Sequence, residues 1–292
     1  MIHSKMLHCK GIILALITLI STFNLKGQDS LSMMKEKARE AYQAEEFVEA
    51  MKFYSKAYKI APLDYKVIMG LADSKHKLDM FQAAIELYDK AESINSNESE
   101  LYFNRGAAKV FIENYKMAIK DFDRSLELDQ NQHKVYYYRG YSKAELGKFK
   151  SAIEDYSQAI ILKPDYAEAY YNRGAAKAEI KNYSAGMQDF DLALQKNPKL
   201  ENGQLNIALS KLGMKRYEEA IDDLTKIIDQ RDNNLDRAYF YRAEAKFEIG
   251  KKDDACADWL KSSKIGYEQA TSNYNDFCGK DEKKKKGIDI IF

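Results

Sequence analysis

Few residues in this chain could do covalent chemistry. Past the first thirty positions the only histidines are His76 and His133, which stand in unrelated surroundings and share no metal-ligand spacing. The Gly-Ala-Ala and Gly-Tyr-Ser steps at Gly106, Gly140 and Gly174 fall inside helical patterns, so they form no phosphate cradle. Ser, His and acid side chains make no recognisable nucleophile set. The chain is therefore expected to be no enzyme and to carry no cofactor or metal. A formal charge of +1 over 292 residues, with aromatics set in no net basic surface, also argues against a nucleic-acid partner.

The side chains that do recur are ionic. Arg105, Arg139, Arg173 and Arg242 stand four residues before Lys109, Lys143, Lys177 and Lys246, a spacing that shares one helical face. Asp121, Asp155, Asp189, Asp223 and Asp258 recur further on. If the two series lie on packed helices, each Asp meets a basic pair, and the chemistry is a ladder of ion pairs between helices. The other reading is a solvated charged face, worth about 0–1 kcal/mol per pair.

A period of 34 residues must position that ladder. Seven units align: 31–64, 65–98, 99–132, 133–166, 167–200, 201–234 and 236–269, with Leu235 inserted before the last. Position eight is always small (Ala38, Ala72, Gly106, Gly140, Gly174, Ala208, Ala243), and so is position twenty (Ala50, Ala84, Ala118, Ala152, Gly186, Ala220, Ala255). Position twenty-four is bulky: Tyr54, Tyr88, Phe122, Tyr156, Phe190, Leu224 and Trp259. Positions twenty, twenty-four and twenty-seven share a helix face, and Pro62, Pro164 and Pro198 close their units. Each unit thus reads as two helices meeting at small residues, and the chain as an array in which neighbours supply the core.

This pattern resembles the tetratricopeptide repeat family over about residues 31–269. The resemblance implies an all-α, right-handed α-solenoid of about seven helix-turn-helix repeats. Tyr102, Tyr136, Tyr170 and Tyr239 stand where the family has Trp, and Lys replaces its aromatic at position eleven. It also implies a concave groove lined by first helices, binding a protein or peptide. By position that groove takes in Phe103, Asn104, Tyr137, Tyr138, Tyr141, Tyr171, Asn172, Asn206, Phe240 and Tyr241; the other reading is that these rings pad the stack. The family's clamp for a C-terminal carboxylate is incomplete, with Met69 and Asp73 where Lys and Asn belong. The reading is a non-catalytic adaptor; a self-associating structural array is the alternative, and a divergent enzyme or small-ligand binder ranks below both.

The two ends differ from the array. Lys5 and Lys10 precede the apolar run 11–23, which is short for a membrane span, and Gly27 suits cleavage: a signal peptide over 1–27, or else an uncleaved anchor. Loss of 1–27 takes Cys9, three lysines and no acid, turning the charge slightly negative. The expected location is the bacterial periplasm or cell envelope. Residues 270–279 read as a capping helix whose packing brings Cys278 to Cys256, giving a disulfide or two free thiols. This ending resembles that of exported tetratricopeptide proteins of the Bacteroidetes type. Residues 280–292 carry four consecutive Lys and read as a solvated tail, or as a contact with an anionic surface or a partner. Membrane contact is expected only through the leader or this tail.

Overall fold

The computed structural model describes residues 29–230 and 233–278. The leader 1–27 and the tail 280–292 lie outside them. Among the described residues there are fifteen helices and no strand, and the fold class is the all-α helical-repeat solenoid. No helix there is long and apolar enough to cross a membrane.

The chain divides into two units, 1–130 and 131–292. Unit 1 holds α1 (29–43), α2 (Phe47–Ile60), α3 (Tyr65–Lys77), α4 (Phe81–Ile94), α5 (Ser99–Phe111) and α6 (Tyr115–Leu128). Unit 2 holds α7 (His133–Glu145), α8 (Phe149–Leu162), α9 (Ala167–Glu179), α10 (Tyr183–Lys196), α11 (Gly203–Gly213), α12 (Tyr217–Asp229), α13 (Leu235–Glu248), α14 (Lys252–Ile265) and α15 (Glu268–Cys278). Leu235, read as an insertion, is the first residue of α13 behind Asn234. The sixth repeat starts late, because Asn202 adopts a left-handed conformation and α11 begins only at Gly203.

Within each unit, helices pack on their sequence neighbours, and first helices of adjacent repeats also touch: α3 with α5, α7 with α9, α9 with α11, α11 with α13. Tyr88, Phe122, Tyr156, Phe190, Leu224 and Trp259 are fully buried, and the small residues at position twenty sit beneath them. The backbones of α9 and α10 approach closely at a pair of glycines. A Cβ on Gly174 would lie 2.9 Å from the Gly186 carbonyl oxygen, and one on Gly186 would lie 2.8 Å from that of Gly174. Both backbones would have to part to admit alanine.

The turn inside each repeat has a feature absent from the sequence reading. Glu45, Asp79, Glu113, Gly147, Lys181, Lys215 and Gly250 all stand at position fifteen and all have positive φ. Each follows a first helix and ends it with a left-handed residue, while the next amide reaches back five residues, as Asn182 N does to Lys177 O at 2.9 Å. Only two of the seven are glycine, so the other five carry a steric cost in the turn.

At the C-terminal end, α15 lays Ala270 and Phe277 on the last core, with the Phe277 ring 5.1 Å from Phe247 and 5.8 Å from Trp259. Cys256 and Cys278 are disulfide-bonded, their Cα atoms 5.8 Å apart. Asn273 Nδ2 donates to the buried Glu244 carboxylate at 2.6 Å.

Candidate functional site

The ionic residues assemble into rungs buried between helices. In unit 1, Arg105 grips Asp121 through Nε and Nη2, the latter at 2.7 Å, and Lys109 Nζ reaches the same carboxylate at 2.7 Å. In unit 2, Arg139 and Lys143 hold Asp155, Arg173 and Lys177 hold Asp189, and Arg242 and Lys246 hold Asp258, with contacts of 2.6–2.8 Å. The sixth repeat, with Ile207 in place of the Arg, keeps Lys211 on Asp223. Asp121, Asp155, Asp189 and Asp258 are at most 4% exposed, so the solvated-face reading does not describe them.

Two further parts of the arginine-bearing rungs were missed. The guanidinium stacks over a tyrosine three residues earlier: Arg105 over Tyr102, Arg139 over Tyr136, Arg173 over Tyr170 and Arg242 over Tyr239, at 5.4–5.5 Å. Nη1 of Arg105, Arg173 and Arg242 reaches the preceding repeat, bonding Asp89 and Glu92 from Arg105, Ser157 from Arg173 and Thr225 from Arg242. Burial works against the Arg105 charge, but hydrogen bonds and field from Asp121 and Glu92 outweigh it and hold its pKa above that of an ordinary arginine. A residue at position twenty-five, hydroxyl or acid, recurring every 34 positions was the available signal.

The ten groove residues do not share one environment. Phe103, Tyr137, Tyr138, Tyr141 and Tyr171 are partly exposed on first helices. Asn206, Phe240 and Tyr241 are 1%, 7% and 1% exposed, which corrects the expectation that they face a partner: Asn206 lies between α9 and α11, and Phe240 packs on Tyr241 and Tyr267. The asparagines serve the stack. Asn172 Nδ2 donates to Tyr137 Oη and Asn206 Nδ2 to Tyr171 Oη, both at 2.9 Å. Asn206 Oδ1 is buried with no hydrogen-bond partner. Burial, with Tyr138 nearby, pushes the Tyr137 phenol up to about 12, so it stays protonated near neutrality.

In unit 1 the same asparagine position meets an acid. Asp73 Oδ1 accepts from Tyr88 Oη at 2.6 Å and from Asn104 Nδ2 at 3.0 Å. Burial pushes Asp73 up to about 6; these two donors pull the other way, and Glu100 adds to the rise. Among the described residues, no group of three His, Cys, Asp or Glu side chains could hold a metal ion.

Known families account for this geometry. Tetratricopeptide repeat models match residues 99–132 and 203–234, and a TPR repeat model matches 140–181. The chain is a tetratricopeptide repeat protein. Among solved structures, this repeat protein is similar to a tetratricopeptide repeat protein from Parabacteroides merdae ATCC 43184. That match has 18% identity and a TM-score of 0.61, and covers 85% of this chain and 98% of the other. A structure of MamA matches at 25% identity and TM-score 0.52, over 56% of this chain and 95% of its own. YrrB, described as a TPR protein with an unusual peptide-binding site, matches at 22% identity and TM-score 0.52, over 57% of this chain and 86% of its own. No curated protein sequence matches the chain. Tetratricopeptide repeat proteins are in general non-catalytic scaffolds, and the repeats here support a protein-interaction scaffold.

Proposed function

We propose that this protein is a non-catalytic adaptor of the bacterial cell envelope that holds a peptide segment along its first helices. The observation that carries the reading is the strip on α7 and α9. Tyr137, Tyr138, Tyr141 and Tyr171 stand partly exposed on neighbouring helices, with Asn172 fixing Tyr137 and Asn206 fixing Tyr171. Rigid, half-buried tyrosines offer wide contact area and a polar tip at low entropic cost, as recognition surfaces require. The peptide-binding site named for the similar YrrB is in keeping with it. Export is supported by the apolar run 11–23 behind lysines and by the Cys256–Cys278 bond, since disulfides persist in oxidising compartments.

The test places a photo-cross-linking amino acid at Tyr138, Tyr141 or Tyr171, and as controls at the exposed Lys150 or Glu154 on α8. Irradiation of the envelope fraction should join one protein to the strip positions and not to the controls. Adducts at α8 alone refute the strip; adducts to a second copy of the chain support the self-associating array instead.

A further inference from the structure

Unit 1 contains a cavity of about 640 Å³ opening beside α1, α3 and α5. Its walls include Tyr54, Tyr65 and Met69, and Asp73, Glu98 and Glu100 also line it. Gly70 lets the Tyr54 ring lie directly on the α3 backbone; a Cβ there would fall 2.2 Å from the ring. Two cations reach the cavity. Lys35 is taken by Asp64 at 2.7 Å, and Lys66 is solvent-exposed. Three carboxylates are left against one exposed ammonium.

Asp73 is the centre of this imbalance. Both of its hydrogen bonds fall on Oδ1, so its orientation is fixed while Oδ2 accepts no hydrogen bond from any described residue. Asp73 is part-exposed and lines the cavity, so an incoming cation would find its carboxylate within reach and gain a charge-assisted contact. Tyr54, Tyr65 and Met69 would meanwhile cover an aliphatic stem. A terminal carboxylate would be repelled at this same place.

We propose that this cavity receives the cationic end of a lysine or arginine side chain of a bound peptide, with Asp73 as its principal counter-charge and Glu98 and Glu100 at the mouth. The inference rests on the peptide-holding role proposed above and names the chemistry that unit 1 selects. It also gives a pH dependence. The groups facing Asp73 are Tyr42 and Tyr54 from α1 and α2, Tyr65 and Lys77 on its own helix, Tyr88 from α4, and Glu100 and Asn104 from α5. The phenols of Tyr42, Tyr54 and Tyr88 are all pushed above the ordinary tyrosine value, chiefly by burial, so between pH 5.5 and 7.5 Asp73 is the member that titrates.

The experiment selects displayed random nonapeptides on the purified chain. It then measures one selected peptide by fluorescence anisotropy, beside a version with its basic residue replaced by citrulline or norleucine. Lysine or arginine should be enriched. Replacing that residue, or changing Asp73→Asn, should each weaken binding about tenfold or more, with little further loss when combined. Lowering the pH from 7.5 to 5.5 should weaken binding to the wild type and leave Asp73→Asn unaffected. If Asp73→Asn does not fold, the exposed pair Glu98→Gln and Glu100→Gln should weaken binding two- to fourfold. Selected peptides without a basic preference, or unchanged binding in these variants, overturn the inference and leave the groove standing. Selection of no peptide at all overturns both.

Discussion

Asp189→Ala should cost this protein far more than a surface charge can. The Asp189 side chain is 3% exposed and accepts from Arg173 at 2.8 and 2.7 Å and from Lys177 at 2.7 Å. Removing it leaves two cations, 17% and 19% exposed, facing a small cavity. Breaking a buried pair costs about 3–5 kcal/mol. Water reaches part of Arg173 and Lys177, and Arg173 keeps Ser157, so about 2–4 kcal/mol is expected here. Glu219→Ala removes an exposed pair with Arg216 and should leave stability almost unchanged. A triple change, Arg173→Met, Lys177→Met and Asp189→Leu, should recover most of the loss, because an apolar replacement removes the desolvation of all three groups. A repeat array need not unfold in one step, so the assay is native-state hydrogen exchange read on α9 and α10 beside urea unfolding. A loss under about 0.5 kcal/mol at Asp189 would show that the rung adds no more than a surface pair, and a triple variant weaker than the single one would refute desolvation of the two cations as the source of the loss.

Lys181→Gly should stabilise the turn between α9 and α10 by about 0.5–1 kcal/mol, since Lys181 has φ 63° and glycine adopts that region freely; Gly147→Ala, at φ 70°, should cost about as much, and both are read from urea midpoints. Reducing Cys256–Cys278, 22 residues apart, should lower the stability of the C-terminal end by about 3 kcal/mol and speed exchange in α15 ahead of α9, as followed by mass spectrometry. Asp73→Asn should stabilise unit 1 at pH 7.5 by on the order of 1–3 kcal/mol and have little effect at pH 4. The sign follows from a folded pKa raised from 3.8 to about 6: Asp73 opposes folding once ionised, and that penalty grows as pH rises from the unfolded value through the folded one. Equal effects at both pH values, in paired melts of variant and wild type, would remove charge as the cause.

What the sequence made legible is what repeats. Small residues at Ala152 or Gly186 and rings at Tyr156 or Phe190 return every 34 positions, so their packing partners could be inferred by analogy across units. The Arg, Lys and Asp series was legible for the same reason. The left-handed turn was not, because its residue varies among Glu, Asp, Lys and Gly while only the backbone angle is constant. The groove assignment failed at Asn206, Phe240 and Tyr241 because position in a repeat fixes which helix face a residue occupies, whereas exposure depends on the neighbour. Near the C-terminal end that neighbour is bulky: Phe240 meets Tyr267, just before the capping helix.

Asp73 and Glu244 bring these threads together. Both stand at position nine of their repeats, where the others carry Arg39, Ala107, Tyr141, Ala175 and Leu209. Each accepts from the large residue at position twenty-four, Tyr88 Oη or Trp259 Nε1, and from an asparagine on a following helix, Asn104 or Asn273. One arrangement thus occurs twice with different outcomes. Glu244 uses one oxygen for both bonds, is 2% exposed and sits beneath α15, where it anchors the cap. Asp73 uses one oxygen in the same way, but its surroundings open into a cavity lined by further acids. A carboxylate needed only to join helices would be covered, as Glu244 is. Leaving Asp73 open costs stability, and a cost kept beside a cavity of opposite sign to a lysine or arginine side chain is most simply explained by what enters it.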